Sequence, residues 1–71
     1  MQQILIHTEY ITLGQLLKKL NLLDTGGQAK IYLAENQVRV NGELETRRGR
    51  KVYPQDSIEI EGFDTVRLVR S

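Results

Sequence analysis

The sequence predicts one small α+β domain, in which two short capped helices alternate with strands. Three observations carry that prediction. The pattern Thr-x-x-Gln occurs twice, at Thr12–Gln15 and at Thr25–Gln28, each time at the head of an apolar periodic run. In such a capping box the threonine hydroxyl and the glutamine side chain satisfy backbone donors that a helix start leaves orphaned. Asn41-Gly42 follows Val38-Arg39-Val40, and Asn-Gly is the strongest short signal for a type I′ hairpin. Ile58-Glu59-Ile60-Glu61 alternates strictly, the period of a strand with one buried face.

Taken in order, residues Gln3 to Thr8 alternate and carry β-branched side chains, which predicts an N-terminal strand with Ile4 and Ile6 on one face. His7 falls on the other face beside Leu5 and reads as an ordinary strand residue, with no nucleophile nearby in sequence to activate. The first helix starts at Thr12. Ile11 before the cap and Leu16 after it are spaced for a hydrophobic staple. Leu13, Leu16, Leu17 and Leu20 form one apolar stripe. Asn21 suits a left-handed terminator, since asparagine tolerates positive φ. The second helix runs from the Thr25 box to about Glu35, with Ala29, Tyr32 and Leu33 facing inward and Asn36 closing it in the same manner.

Gly26 and Gly27 in its first turn cost about 1 kcal/mol each relative to alanine. Two readings stand: an N-terminal turn that tolerates poor helix formers, or bare backbone that lets helix amides approach an anion. In the hairpin a strict two-residue turn would pair Val40 with Glu43 and Arg39 with Leu44, mixing polar and apolar residues on each face, so the sequence leaves the register open. Pro54-Gln55-Asp56 reads as a turn, Ile58–Glu61 as a strand, and Thr65 to Val69 as a last strand with Val66 and Leu68 on one face. Pairing of the first and last strands would tie both chain ends to the sheet.

Bulk properties narrow the function. Seventy-one residues leave no room for a separate catalytic module. The chain has no cysteine, which excludes disulfides and thiolate chemistry and fits a reducing cytoplasm. MQQILIHTEY lacks the basic and apolar regions of a secretory signal, and no apolar run approaches the roughly 20 residues of a membrane span. Neither a P-loop, a metal-ligand spacing nor a nucleophile–base set is present, so no enzyme activity, cofactor, metal or small-molecule substrate is expected. Asp56, Glu59, Glu61 and Asp64 occupy turns or alternate with core residues and read as solvent-facing.

The charge is unevenly spread. From Gln37 to Tyr53 there are five Lys/Arg against two acids, and the rest of the chain holds five against seven. The overall +1 therefore hides a positive pole. Its centre is Arg47-Arg48-Gly49-Arg50-Lys51, four cations around a glycine. A concentrated positive pole on a small domain is the footprint expected for a phosphate-bearing partner. Arginine's planar fork matches phosphate oxygens better than a generic lysine does. The bland reading is a solvated basic loop, and Lys18 and Lys19 read as a solvated helix face first and as an extension of the binding surface second. Glu43 and Glu45 are close enough in sequence to pair with the arginines. Tyr10, Tyr32, Tyr53 and Phe63 are scattered over different elements, without the clustering of a base-stacking platform.

The ordered set of two capped helices, Ala29 early in the second, Val38-Arg39-Val40-Asn41-Gly42, and Pro54-Gln55-Asp56-Ser57-Ile58 resembles the S4 RNA-binding domain over about residues 12–60. Gly26-Gly27-Gln28-Ala29-Lys30 together with Arg47-Arg48-Gly49-Arg50-Lys51 is similar to its short stand-alone bacterial members, those of the YaaA and YbcJ type. The resemblance implies a helix–helix–hairpin (alpha-L) unit on a small, mainly antiparallel sheet. It also implies binding of structured RNA, ribosomal RNA or a ribosomal particle included, in the bacterial cytoplasm. The contact residues it implies are Gly26, Gly27, Gln28 and Lys30 on the second helix, Arg39 and Asn41 of the hairpin, and Arg47, Arg48, Arg50 and Lys51 of the loop. Many members carry arginine where this chain has Thr12 and Gly26, so the charge falls on Lys30, Arg39 and the loop. A protein-interaction adaptor docking on an acidic protein partner is the alternative function.

Overall fold

The structure, a computed structural model, describes the backbone of residues 1–71; the surroundings of Gly26, one of the candidate contact residues, lie outside what is described. The chain runs β1 (Gln2–Ile6), β2 (Ile11–Thr12), α1 (Leu13–Lys19), a 3-10 turn (Gly26–Gln28), α2 (Ala29–Glu35), β3 (Val38–Val40), β4 (Glu43–Leu44), β5 (Lys51–Val52), β6 (Ser57–Ile60) and β7 (Val66–Arg70). Five strands form a sheet in the order β1-β7-β6-β3-β4, while β2 and β5 make a separate two-stranded ladder. The chain ends do pair: β1 lies parallel to β7, with Gln2 opposite Val66 and Ile6 opposite Arg70. The other pairings are antiparallel. A parallel pair needs a long crossover, and here everything from β2 to β6 supplies it.

One face of the sheet carries the core. Ile6, Val38, Val40, Ile58, Ile60, Val66 and Leu68 are buried beneath Leu13, Leu16 and Leu17 of α1 and Ala29 and Leu33 of α2. Ile4 and Tyr32 pack at the edge of this cluster. Leu5, on the opposite face of β1, is exposed.

The first capping box forms in full. Gln15 N donates to Thr12 Oγ1 at 3.2 Å, and Thr12 N donates to Gln15 Oε1 at 2.9 Å. Asn21 ends the helix region at φ 62°, the left-handed conformation expected of it. The second box forms only by half. Gln28 Oε1 accepts from Asp24 N at 2.7 Å and from Thr25 N at 3.4 Å, but Gln28 N donates to the Thr25 carbonyl at 3.2 Å. The turn is therefore wound as 3-10, and the α-helix begins at Ala29 rather than at the box. The closing of α2 also differs from expectation. Asn36 is extended, at φ −127°, and caps instead through its side-chain amide on the Tyr32 carbonyl at 3.2 Å.

The hairpin adopts the strict two-residue register. Asn41 and Gly42 have φ of 52° and 87°, the two positive values of a type I′ turn. Val40 faces Glu43 and Arg39 faces Leu44. The polar–apolar mixing is tolerated because β4 is the edge of the sheet, where Glu43 and Leu44 are both exposed. One step further, Glu45 N donates to the Val38 carbonyl at 2.8 Å, and this carboxylate turns inward.

Candidate nucleic-acid interface

Glu45 is buried, 6% exposed, and its carboxylate organises the basic loop. Oε2 accepts from Thr46 N at 3.1 Å, Arg47 N at 3.0 Å and Arg47 Nε at 3.0 Å. Oε1 accepts from Arg47 Nη2 at 3.2 Å and Arg50 Nη1 at 2.8 Å. A buried charge is tolerable when it is paired and its lone pairs are filled, and here five donors fill them. The Arg47 side chain foremost, then Arg50 and the Arg47 amide, outweigh burial and hold the Glu45 carboxyl at about 2, against 4.5 ordinarily. The same contact raises the Arg47 guanidinium above its ordinary value.

The loop is fixed at a second place by α1. Leu13 N donates to the Arg50 carbonyl at 2.8 Å, and Gly14 N to the Arg48 carbonyl at 2.9 Å. The first four amides counted from Thr12 are thus satisfied, two by the capping box and two by loop carbonyls. A side chain at Gly14 would face directly into this junction. A Cβ there would lie 3.4 Å from both Ala29 Cβ and the Arg48 carbonyl oxygen, so the starts of both helices and the loop converge on that glycine.

Clamped in this way, the loop still presents charge. The Arg47 side chain is 73% exposed despite its ion pair. Arg48 is exposed and, among the described residues, makes no ion pair. Arg50 is more committed, its side chain 33% exposed against Glu45. Lys18, read from sequence as a plain helix-face lysine, borders a shallow hollow with Arg48, Gly49 and Gln15, so α1 extends the basic surface.

The tyrosines are not all scattered. Tyr10 precedes β2, Tyr53 follows β5, and the register that sets Ile11 opposite Val52 brings their rings to 5.6 Å between centroids, tilted by 47°. Lys51 Nζ sits 4.9 Å from the Tyr10 ring centroid, the geometry of a cation–π contact. The sequence hides this pair because the two tyrosines lie far apart along the chain; only the β2–β5 ladder, two residues per strand, unites them.

Comparison with known proteins agrees with this architecture. Residues 4–69 match the family model of the S4 domain. The chain belongs to the S4 domain family. The Bacillus subtilis "Probable ribosome maturation protein RlbA" is 52% identical to this S4 domain over 64 residues, 90% of each chain. The Escherichia coli "Putative RNA-binding protein YbcJ" is 38% identical over 53 residues, covering 75% of this chain and 76% of that one.

The S4 domain distributes the remaining candidate residues unevenly. Gly27, Gln28 and Lys30 flank Ala29, next to the Gly14 junction, and Lys30 is exposed on α2. The Gln28 side-chain oxygen is occupied by its capping contacts. Asn41 is engaged within the fold: its Nδ2 donates to Asp56 Oδ1 at 3.1 Å and its Oδ1 accepts from Ser57 N at 2.9 Å. Arg39 lies on the sheet face turned away from the core, opposite Glu59 and Leu44. That face is not the one on which the S4 domain gathers its loop arginines, Lys18 and the Tyr10–Tyr53 pair.

Proposed function

We propose that this S4 domain is a non-catalytic module that binds structured RNA, with ribosomal RNA or a ribosomal particle as its partner. The observation that carries the reading is the clamped loop. Glu45 and the α1 amides tie down the loop backbone at Arg47, Arg48 and Arg50 around Gly49, and cations carried on a preorganised loop suit phosphates that are themselves fixed. A-form RNA offers such phosphates, with 2′-hydroxyls in an accessible minor groove. The names of the two relatives, one concerned with ribosome maturation and one with RNA binding, support the same partner class.

The test is competition for a labelled RNA hairpin among three competitors of equal length: a hairpin or junction RNA, poly-uridine and duplex DNA. The structured RNA is expected to compete best, and to keep its advantage at moderate salt. Poly-uridine or duplex DNA competing equally well would remove shape from the account and leave diffuse charge attraction.

A further inference from the structure

We propose that Tyr53, backed by Tyr10, is a stacking site for a single unpaired nucleobase of the RNA whose phosphates meet the basic loop. The inference rests on the RNA-binding reading and adds a specific element to it, a bulged or looped-out base beside a helical segment.

The two rings contribute little to the fold. The inward positions of their ladder belong to Ile11 and Val52, which pack in or against the core, whereas Tyr10 and Tyr53 are 37% and 41% exposed and lie outside that cluster. Each ring lines a hollow that also holds cationic side chains. On the Tyr53 side a cleft of about 450 Å³ is lined by Arg47, Gly49, Arg50 and Lys51. On the Tyr10 side a larger hollow of about 860 Å³ includes Lys18 and Lys19, which outnumber Glu9 on its wall. A nucleotide strand alternates phosphate, base and phosphate, and this surface offers cation, aromatic face and cation in the same order.

Tyr53 is also held in place. Its amide donates to Asp56 Oδ2 at 2.8 Å, and Asp56 N returns to the Tyr53 carbonyl at 3.0 Å across Pro54-Gln55. Gln55 sits at φ 78°, the positive value a type II turn requires after proline. The backbone that carries the ring is thus ordered before binding, which lowers the cost of positioning it. With Lys51 over the Tyr10 ring, Tyr53 is the ring that borders the basic cleft. One ring accommodates one base, unlike the run of aromatics that tracks an unstructured strand.

The experiment uses two labelled RNA hairpins of identical stem, one with a single adenosine bulge and one with an abasic residue at the bulge. Backbone and bend are thereby matched, and only the base differs. The wild-type protein is expected to bind the adenosine bulge about 5- to 10-fold more tightly, the lower part of the range for base–aromatic stacking. Tyr53→Leu is expected to abolish that difference while binding the abasic hairpin as the wild type does, and Tyr53→Phe to retain it. Thermal unfolding confirms that the variants fold, and Tyr10→Leu supplies a second removal of the stack. Equal wild-type affinity for the two hairpins, with salt-sensitive binding to both, would overturn the stacking site and leave RNA binding standing. A base preference undiminished in Tyr53→Leu and Tyr10→Leu would also overturn it. No salt-sensitive binding to either hairpin would overturn the RNA-binding reading itself.

Discussion

Glu45 sets the division of labour among the loop arginines. Arg47 and Arg50 hold it, whereas Arg48 touches no acid among the described residues. The ion pairs make the loop arginines unequal in what they contribute to stability. Arg48→Ala is expected to weaken RNA binding at unchanged melting temperature, and Arg50→Ala to lower both. Glu45→Ala removes five accepted hydrogen bonds and is expected to cost roughly 2 kcal/mol of stability, within the range for hydrogen bonds to a charged group. The pH dependence has a definite sign. Because the folded carboxyl titrates at about 2, below its ordinary 4.5, its contribution is fully present above about pH 4.5 and is lost as pH falls toward 2. Melting temperatures of wild type and Glu45→Gln should therefore converge over that window; a gap that stays constant down to pH 2 would show that the ion pairs do not stabilise the fold.

At the scale of elements, the hairpin and the β2–β5 ladder position the loop between them. The space around a Cβ at Gly42 is open, so the demand for glycine there comes from φ 87° alone. Gly42→Val should destabilise by about 1–3 kcal/mol, read by chemical denaturation, whereas Gly49→Ala, equally uncrowded and without a positive φ, should change stability little. Comparable losses in both would mean that the turn conformation is not what Gly42 provides. These elements also show what the sequence reveals and what it withholds. Helices, hairpin, turn and end strands are written in local signals: a capping box, Asn-Gly, Pro54, alternation. The 3-10 start of α2 is not, because the same Thr25–Gln28 spacing permits either winding. The roles of Glu45 and of the Tyr10–Tyr53 pair are not local either. Glu45 is spaced to pair with the arginines, but its burial shows only once the strict register turns it inward, and the tyrosines meet only through a ladder too short to announce itself.

For the whole molecule, the positive pole read from sequence is divided between the loop and the outward face of the sheet. Lys18 joins the loop cations, Arg39 lies on the far side of the sheet, and Asn41 is spent on Asp56 and Ser57. If about four phosphates are neutralised, log K against log salt should slope at roughly −3. The central claim, that the Glu45-clamped loop is the RNA-binding face, is tested most directly by comparing that slope in two variants that remove the same charge from opposite faces. One is Arg48→Ala with Lys51→Ala, which leaves both Glu45 ion pairs intact. The other is Arg39→Ala with Arg67→Ala, on the outward sheet face. With a structured RNA hairpin as ligand, the loop pair should flatten the slope by about 1.5, at about 0.7–0.9 for each phosphate left without its cation, while the sheet pair overlays the wild type. Equal flattening in both variants would contradict the account.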